Sequence, residues 1–253
     1  MEPKLVLLDL DGTLHERGKA VPGAAGAVVK LRRAGHTVRV FTNTDSQAEA
    51  TLVARIRRSG IPVALGEVFT PVVAAKRILP PDARVLVLAD RAVRDDLATH
   101  ARLAGPAEAT HVVIGDCRQS LSYQGLDAAF RAVRAGAELL AFQHGPYFRA
   151  ADGDHLDTGA IVAAIEFATG KTARILGKPS PDFLRLAARD TPGALWVVGD
   201  DRTTDILMAN EAGATAVQVR TGKYTDQAQS DDLPQPTHTI DSVADLPALL
   251  ALG

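Results

Sequence analysis

Two aspartates one residue apart follow a short apolar run near the start of the sequence. The run covers residues 5–8, and Asp9, Asp11 and Gly12 come directly after it. Residues two apart in an extended chain point to the same side, so both carboxylates are predicted to face one site. Two carboxylates at about 5 Å repel, and one tends to keep its proton unless a cation compensates. The pair therefore suits metal binding by one aspartate and proton transfer by the other, and Gly12 would let the backbone approach a ligand closely.

Polar groups also follow two later apolar runs. Thr42 and Asn43 end the first of these, and their hydroxyl and amide groups suit phosphate oxygens. Asp200 comes directly after the second run, where Mg²⁺ would find the oxygen ligands that hard cations require. Asp205 stands about one helical turn further on and is expected to support the site, whereas side-chain alternation leaves the direction of Asp201 open.

One lysine completes this set of groups. Lys178 stands between Gly177 and Pro179, which restrict the backbone on both sides. Its ammonium group would neutralise both a phosphate and the carboxylates. Each motif also has a purely structural interpretation, namely turn chemistry for the aspartates, Thr42 and Asn43, and a solvated surface position for the lysine.

These residues are positioned by alternating strand-like and helix-like segments. Such alternation, with strands apolar on both faces, predicts a doubly wound α/β fold with a parallel sheet. The carboxyl ends of its strands would bring the polar groups to one edge. Residues 46–49 have the pattern of a helix capping box, and residues 225–236 read as a loose surface loop. The predicted strands are 5–8, 37–42, 84–89, 111–115, 137–142, 173–176, 194–198 and 215–219.

Composition restricts the class of protein. The chain has 253 residues, 46% of them apolar, a formal charge of −2 and a pI near 6.4. This balance gives no general attraction to nucleic acid or to acidic membranes, and no apolar window reaches the roughly 18 residues of a membrane helix. The one cysteine, Cys117, forms no internal disulfide and suits a reducing cytoplasm. We expect a cytoplasmic protein whose Cys117 is a small buried residue.

The four motifs DLDGT, FTNTD, GKPSP and GDDRTTD occur in the order found in haloacid dehalogenase-like (HAD) phosphatases, which the sequence therefore resembles. The stretches VFTPVVAAKRIL, SLSYQGLDAAFRAV, AIEFATGKTARILGKPSP and AVQVRTGKY extend the resemblance over nearly the whole chain. They resemble the NagD-type subgroup, which includes the phospholysine phosphohistidine inorganic pyrophosphate phosphatases and their HAD-domain relatives.

The resemblance implies a Rossmann-like catalytic core with an inserted α/β cap domain. Residues 1–80 and 173–253 would form the core, and residues 81–172 would form the cap between the second and third motifs. A cap excludes water and contacts the leaving group. The resemblance also leaves open a homodimer formed through the cap.

The resemblance further implies a Mg²⁺-dependent phosphatase acting on a small phosphorylated metabolite. Asp9 would attack phosphorus and form an aspartyl-phosphate, while Asp11 would protonate the leaving group and then activate water. Mg²⁺ would be held by the Asp9 carboxylate, the Asp11 backbone carbonyl and Asp200. The expected phosphate-binding residues are Thr42, Asn43 and Lys178.

Other functions stay open at this stage. A non-catalytic phosphate-binding or signalling module would share the aspartates and the lysine, although receiver domains are smaller and carry no cap. A phosphotransferase would use the same aspartyl-phosphate chemistry. A nucleotide-dependent oxidoreductase is disfavoured, because the first strand is followed by DLDGT and not by G-x-G-x-x-G.

Overall fold

The computed structural model describes residues 2–150 and 152–251, which form fifteen β-strands and ten α-helices. The strands are β1 Lys4–Leu8, β2 His15–Glu16, β3 Lys19–Ala20, β4 Thr37–Phe41, β5 Val68–Phe69, β6 Arg84–Leu88, β7 Arg102–Leu103, β8 His111–Ile114, β9 Glu138–Ala141, β10 Tyr147–Ala150, β11 Gly153–Leu156, β12 Arg174–Ile175, β13 Ala194–Gly199, β14 Thr215–Val219 and β15 His238–Ile240. The helices are α1 Ala24–Arg33, α2 Glu49–Arg58, α3 Pro71–Ile78, α4 Arg91–Ala98, α5 Tyr123–Arg134, α6 Thr158–Thr169, α7 Pro181–Ala188, α8 Leu207–Glu211, α9 Tyr224–Gln227 and α10 Leu246–Ala251. A π-helical turn, Arg202–Ile206, leads into α8, and a 3₁₀ turn, Val243–Asp245, leads into α10.

The chain forms two compact units. The first comprises Met1–Thr42, Glu49–Phe69 and Lys178–Gly253, and the second comprises Asn43–Ala48 and Thr70–Gly177. The sequence predicts the boundaries at 80/81 and 172/173, which would place α3 and β12 in the first unit. In the structure both elements belong to the second unit. Strand β12 belongs to the second unit because its backbone pairs with β9. The two prolines that follow α3 end this helix but do not mark a boundary between the units.

The first unit contains a six-stranded parallel sheet in the order β15-β14-β13-β1-β4-β5. From β1 the chain adds β4 and β5 on one side, and later adds β13, β14 and β15 on the other. Because crossovers of this kind are right-handed, the connecting helices of the two halves cover opposite faces of the sheet. The predicted doubly wound α/β fold is confirmed.

Both faces of this sheet are buried, which explains why its strands read as continuous apolar runs. On one face Val6 and Leu8 pack with apolar residues of α1, α2 and α10. Elsewhere in the unit, the rings of Phe41 and Phe183 stack with centroids 4.5 Å apart, and Phe69 lies 5.0 Å from Phe183. Helix α7, which carries Phe183, is thereby fixed against the strands that lead to the polar groups.

The second unit has its own five-stranded parallel sheet, in the order β12-β9-β8-β6-β7. Apolar residues of β6, β8 and β9 pack with those of α5 and α6, and an antiparallel hairpin, β10–β11, precedes α6. Cys117 is buried here, as expected. Burial and the nearby Asp116 carboxylate raise the pKa of its thiol to about 11, so it stays protonated at neutral pH.

Two expectations about individual segments have a structural outcome. The segment 225–236 lies at the surface, as expected, with its residues exposed or half-buried. It overlaps a short helix, α9, and is hydrogen-bonded to the rest of the unit. Within the described part of the chain, no helix combines the length and the apolar character needed to cross a lipid bilayer.

Candidate active site

The carboxyl ends of three adjacent strands of the first unit carry the predicted polar residues. Leu8 at the end of β1 pairs in register with Val40 of β4 and with Val198 of β13. Beyond these strand ends come Asp9, Thr42 and Asp200. The Asp9 N–H still donates to the Val198 carbonyl at 2.8 Å, so this aspartate is fixed by the sheet itself.

A buried ion triad forms the centre of the site. The Lys178 ammonium donates to Asp9 Oδ1 at 2.5 Å and to Asp205 Oδ1 at 2.7 Å. All three side chains are buried, with exposed fractions of 4% for Lys178, 7% for Asp9 and 1% for Asp205. Asp205 also accepts the Asp201 N–H, and this approach requires Gly199, whose Cβ would lie 2.2 Å from Asp205 Oδ2.

Burial and mutual repulsion shift the pKa values of these groups. Burial raises the pKa of Asp9 well above its ordinary value; Lys178 partly offsets this, whereas Asp205 and Asp200 add to it. Burial likewise raises the pKa of Asp205. Burial alone would lower the pKa of Lys178, but the two carboxylates outweigh it and raise that pKa. The lysine therefore stays charged, and the carboxylates need further positive charge to ionise fully.

Asp200 is a buried carboxylate clamped between two glycines. A Cβ on Gly12 would lie 2.2 Å from Asp200 Oδ2, and a Cβ on Gly222 would lie 2.0 Å from it. The Lys223 N–H donates to the same oxygen at 2.7 Å. Burial, followed by repulsion from Asp205, raises the pKa of Asp200 to about 7.

The residues present fit a divalent cation. Oxygens of Asp9, Asp200 and Asp205 lie within 4.8 Å of one another, which suits a hard metal ion. Three carboxylates and one ammonium give a net charge of about −2 when ionised, which one divalent ion would balance. Both oxygens of Asp205 already accept hydrogen bonds, Oδ1 from Lys178 and Oδ2 from the Asp201 N–H, so Asp9 and Asp200 are the better placed metal ligands.

Asp11 lies apart from this cluster. Strand β1 ends at Leu8, and Leu14 and His15 both donate their N–H groups to the Leu10 carbonyl, so the chain turns here. The strand alternation that would place Asp11 beside Asp9 therefore does not extend to it. The Asp11 side chain is 61% exposed, and one of its oxygens lies 4.0 Å from Arg55 Nη2. The Nε and Nη2 atoms of Arg55 are buried and have no hydrogen-bond partner among the described residues.

Asp201 is not part of the cluster of Asp9, Asp200 and Asp205 and has its own set of partners. Its carboxylate accepts from Lys223 Nζ at 2.6 Å, from the Thr203 hydroxyl at 2.6 Å and from Gln227 Nε2 at 2.8 Å. Burial opposes its ionisation, but Lys223 and these hydrogen bonds lower the pKa of Asp201 to about 2. Asp201 is thus an ionised, fully bonded carboxylate with a positioning role in the loop.

The predicted phosphate-binding residues Thr42 and Asn43 belong to different units. Thr42 is buried in the first unit, and its N–H donates to the Phe69 carbonyl at 3.1 Å. Asn43, the next residue, belongs to the second unit, where a Cβ on Gly177 would lie 2.6 Å from its Oδ1. Their binding of phosphate stays a prediction.

Comparison with known proteins identifies the family. Residues 6–101 match the family described as haloacid dehalogenase-like hydrolase, and residues 175–246 match the HAD-hydrolase-like family. The haloacid dehalogenase-like hydrolase domain-containing protein 2 of Rattus norvegicus is 35% identical over 246 residues, covering 94% of this chain and 92% of that protein. The chain belongs to the haloacid dehalogenase-like hydrolase family.

Further relatives agree with this membership. The phospholysine phosphohistidine inorganic pyrophosphate phosphatase of Danio rerio is 32% identical over 252 residues, covering 95% of this chain and 92% of that protein. Among solved structures, the p-nitrophenyl phosphatase from Archaeoglobus fulgidus shares the fold, with a TM-score of 0.90, 24% identity and coverage of 97% and 98%. NagD from E. coli K-12 has a TM-score of 0.85, 26% identity and coverage of 97% and 98%.

A glycerol phosphate phosphatase from Mycobacterium tuberculosis, solved in complex with magnesium, has a TM-score of 0.83 and 27% identity. The two structures match over 99% of this chain and 78% of the Mycobacterium tuberculosis protein. With these phosphatases of the HAD family as its relatives, the chain is a HAD-type phosphohydrolase with a Rossmann-like core, as the motifs indicate. The NagD-type resemblance is likewise confirmed.

Sequence reasoning missed one segment of this family member's site. Thr221 donates its hydroxyl to the Gly12 carbonyl, Gly222 packs against Asp200, and Lys223 binds both Asp200 and Asp201. These residues follow β14 at the same sheet edge as the four motifs. The stretch AVQVRTGKY contributes to the resemblance, and its position after a buried strand is the signal that would have predicted a role for it.

Proposed function

We propose that the protein is a Mg²⁺-dependent phosphatase that hydrolyses a small phosphorylated metabolite through an aspartyl-phosphate on Asp9. The observation that carries this proposal is the buried cluster in which Lys178 bridges Asp9 and Asp205 beside Asp200. A carboxylate buried with a fixed cation at its side is suited to attack an anionic substrate, because the cation reduces the repulsion between them.

In the first step, an oxygen of Asp9 forms a bond to phosphorus as the bond from phosphorus to the leaving oxygen breaks. Lys178 is already within hydrogen-bond distance of Asp9 and Asp205, so its charge is present before the substrate arrives. Preorganised donors of this kind are each worth about 10²–10³ in rate. Thr42, at the end of the adjacent strand, is the further donor proposed for the phosphoryl oxygens in the first unit, while the binding role of Asn43 stays a prediction from the sequence.

Asp11 is proposed as the general acid and base. It donates its proton to the departing oxygen, and its carboxylate then accepts a proton from the water that attacks phosphorus. That second step releases inorganic phosphate and restores the Asp9 carboxylate. The exposed position of Asp11 is compatible with proton exchange with solvent between the two steps.

The metal ion would be held by the carboxylates of Asp9 and Asp200 and, by the family resemblance, by the backbone carbonyl of Asp11. When bound, Mg²⁺ supplies Lewis-acid stabilisation of the phosphoryl charge. The relative solved with magnesium supports the choice of ion. Lys178 is the group of the site that stays charged without it.

The substrate class follows from the relatives and is a proposal for this chain. Their names refer to phospholysine, phosphohistidine, inorganic pyrophosphate, p-nitrophenyl phosphate and glycerol phosphate, all small phosphorylated compounds. We propose that the second unit acts as the cap that selects among such compounds. A homodimer through this unit and a cytoplasmic location stay predictions from the sequence.

The test compares wild type with Asp9→Asn and with Asp190→Asn, a control at an exposed position. Hydrolysis of p-nitrophenyl phosphate with Mg²⁺ should be lost in Asp9→Asn only, and excess chelator should stop the wild-type reaction. Rapid quenching followed by borohydride reduction should mark Asp9 in the peptide map, because an acyl phosphate is reduced and a free carboxylate is not. Turnover by Asp9→Asn near the wild-type rate would exclude Asp9 as the nucleophile.

The same assay separates the alternative functions. A phosphotransferase would pass the group from Asp9 to an added alcohol, so that released phosphate would fall short of released leaving group. A non-catalytic module would keep a stoichiometric label at Asp9 without turnover on any compound of a broad panel of phosphorylated metabolites.

A further inference from the structure

One segment of the first unit lies across the acidic site although it has no apolar anchor of its own. We name residues 221–235 the strap. Among the described residues of the strap none is buried, and beyond the four-residue helix α9 it has no regular structure. A polar segment of this kind loses too little apolar surface to be ordered by the hydrophobic effect. Its order must come from hydrogen bonds.

The first half of the strap binds the site directly. Thr221 donates to the Gly12 carbonyl at 2.5 Å, and the Lys223 N–H donates to Asp200 Oδ2 at 2.7 Å. The Gln227 amide donates to Asp201 Oδ1 at 2.8 Å. The strap thereby fixes the orientation of Asp200, a proposed metal ligand.

The second half of the strap is held by one arginine. Arg202 is 4% exposed, and among the described residues its guanidinium donates only to backbone carbonyls of the strap. The four bonds are Nε to Pro234 at 2.8 Å, Nη1 to Gln227 at 3.0 Å, Nη1 to Ser230 at 3.0 Å and Nη2 to Leu233 at 2.6 Å. The rigid fork of an arginine can satisfy four carbonyls at once, which a lysine cannot.

Arg202 and Asp200 belong to the same loop after β13, so one loop holds both halves of the strap. The Arg202 N–H also donates to the Gln227 side chain at 2.8 Å, which links the two halves at one residue. Partners of metal ligands that orient them alter metal affinity by about 10–100-fold when removed.

We propose that Arg202 is a positioning residue that holds the strap over Asp200 and thereby sets the affinity of the acidic site for its divalent cation. This inference rests on the proposed function, because it takes Asp200 as a metal ligand. Arg202 touches neither substrate nor metal in this proposal. It acts through the strap.

The test uses the full chain freed of metal, with Arg202→Met, Arg202→Lys and a control, Arg33→Met. Arg33 is an exposed arginine in the last turn of α1, in the same unit. Hydrogen exchange of amides 223–233 should quicken at least tenfold in Arg202→Met, while β1 and β13 exchange at wild-type rates. The dissociation constant for Mg²⁺, measured by calorimetry, should rise about 10–100-fold. Arg202→Lys should fall between, and Arg33→Met should match wild type.

Two results would overturn the inference. If the amides of the strap exchange at the wild-type rate in Arg202→Met, Arg202 does not hold the strap. If the strap exchanges faster but the Mg²⁺ affinity stays within twofold of wild type, the strap has only a structural role. If Arg202→Met does not fold, Arg202→Lys decides, because lysine keeps the charge but cannot satisfy the four carbonyls at once. Absence of Mg²⁺ binding in wild type would instead overturn the proposed function, and the exchange data would still show whether Arg202 holds the strap.

Discussion

Replacing Lys178 with methionine would measure how much the buried ion triad of Lys178, Asp9 and Asp205 contributes to the free energy of unfolding. Methionine keeps much of the side-chain volume and removes the charge that binds both Asp9 and Asp205. The two carboxylates would then face each other without their shared cation in a region almost closed to water. Their pKa values, already raised by burial, would rise further, because the Lys178 charge is what partly offsets that burial.

The magnitude follows from the burial of all three side chains. Removing one partner from a buried ion pair costs about 3–5 kcal/mol, compared with at most about 1 kcal/mol for an exposed pair. With exposed fractions of 4%, 7% and 1%, the three side chains form a buried ion pair network, to which the larger cost applies. We expect a loss of about 3–5 kcal/mol at pH 8 without divalent cations, and a smaller loss near pH 5 because the carboxylates can then take up protons.

The assay uses the one tryptophan of the chain, Trp196 in β13. It is buried in the first unit, so its fluorescence during urea unfolding reports on the unit that contains the triad. The double variant Lys178→Met with Asp205→Asn should recover part of the loss, since one of the unpaired charges is then absent. A loss below about 1 kcal/mol at pH 8 in chelator would refute the reasoning, because the triad would then behave as a solvent-screened surface pair.

Three further predictions concern other parts of the molecule. Burial raises the pKa of Asp45 to about 7 from its ordinary 3.8, so between these pH values the folded chain holds a proton that the unfolded chain has lost. Stability should therefore fall by about 3 kcal/mol as pH rises from 4 to 7, and urea unfolding of Asp45→Asn should lack this decline. Because Arg55 Nη2 lies 4.0 Å from an Asp11 carboxylate oxygen, we expect Arg55 to fix the position of that side chain. Arg55→Met should therefore lower kcat about tenfold for alkyl phosphates, whose leaving group needs the proton from Asp11, and less than twofold for p-nitrophenyl phosphate, whose leaving group needs none; equal losses in steady-state assays would count against this role. Gly222→Ala should raise the Mg²⁺ concentration needed for half-maximal activity about 10–100-fold, because its Cβ would displace Asp200; an unchanged titration would disprove that contact.

The central strands were predictable because most of their residues are apolar and buried. All eight predicted strands are present, and they include β1, β4 and β13, whose ends carry the polar residues. The seven additional strands are two to four residues long, too short for any periodicity to be detected. Helix α2 begins at Glu49, whereas the capping box predicts a start near Ser46. The Glu49 carboxylate instead accepts the Gly66 N–H at 2.8 Å, a partner that lies 17 residues away and that no local pattern reveals.

The candidate site was predictable only as far as strand geometry reaches. Asp9, Asp200 and Asp205 come together because parallel strands end at one edge, which the sequence indicates. Asp11 departs from the expected placement because the chain leaves the strand before reaching it. The contribution of Arg202 depends on four backbone carbonyls of a segment without sequence signature, so only the folded chain reveals it.

The course of the chain between its two units constrains any exchange of parts among relatives. It passes from one unit to the other at four peptide bonds, after Thr42, Ala48, Phe69 and Gly177. A chimera that receives a foreign second unit must therefore be joined at four points and must carry the six-residue piece 43–48 along with it. Two of these junctions adjoin Thr42 and Lys178, so a crossover misplaced by one residue would alter a residue of the proposed phosphate-binding site. We therefore expect crossovers within either unit to be tolerated better than crossovers at the four junctions between the units.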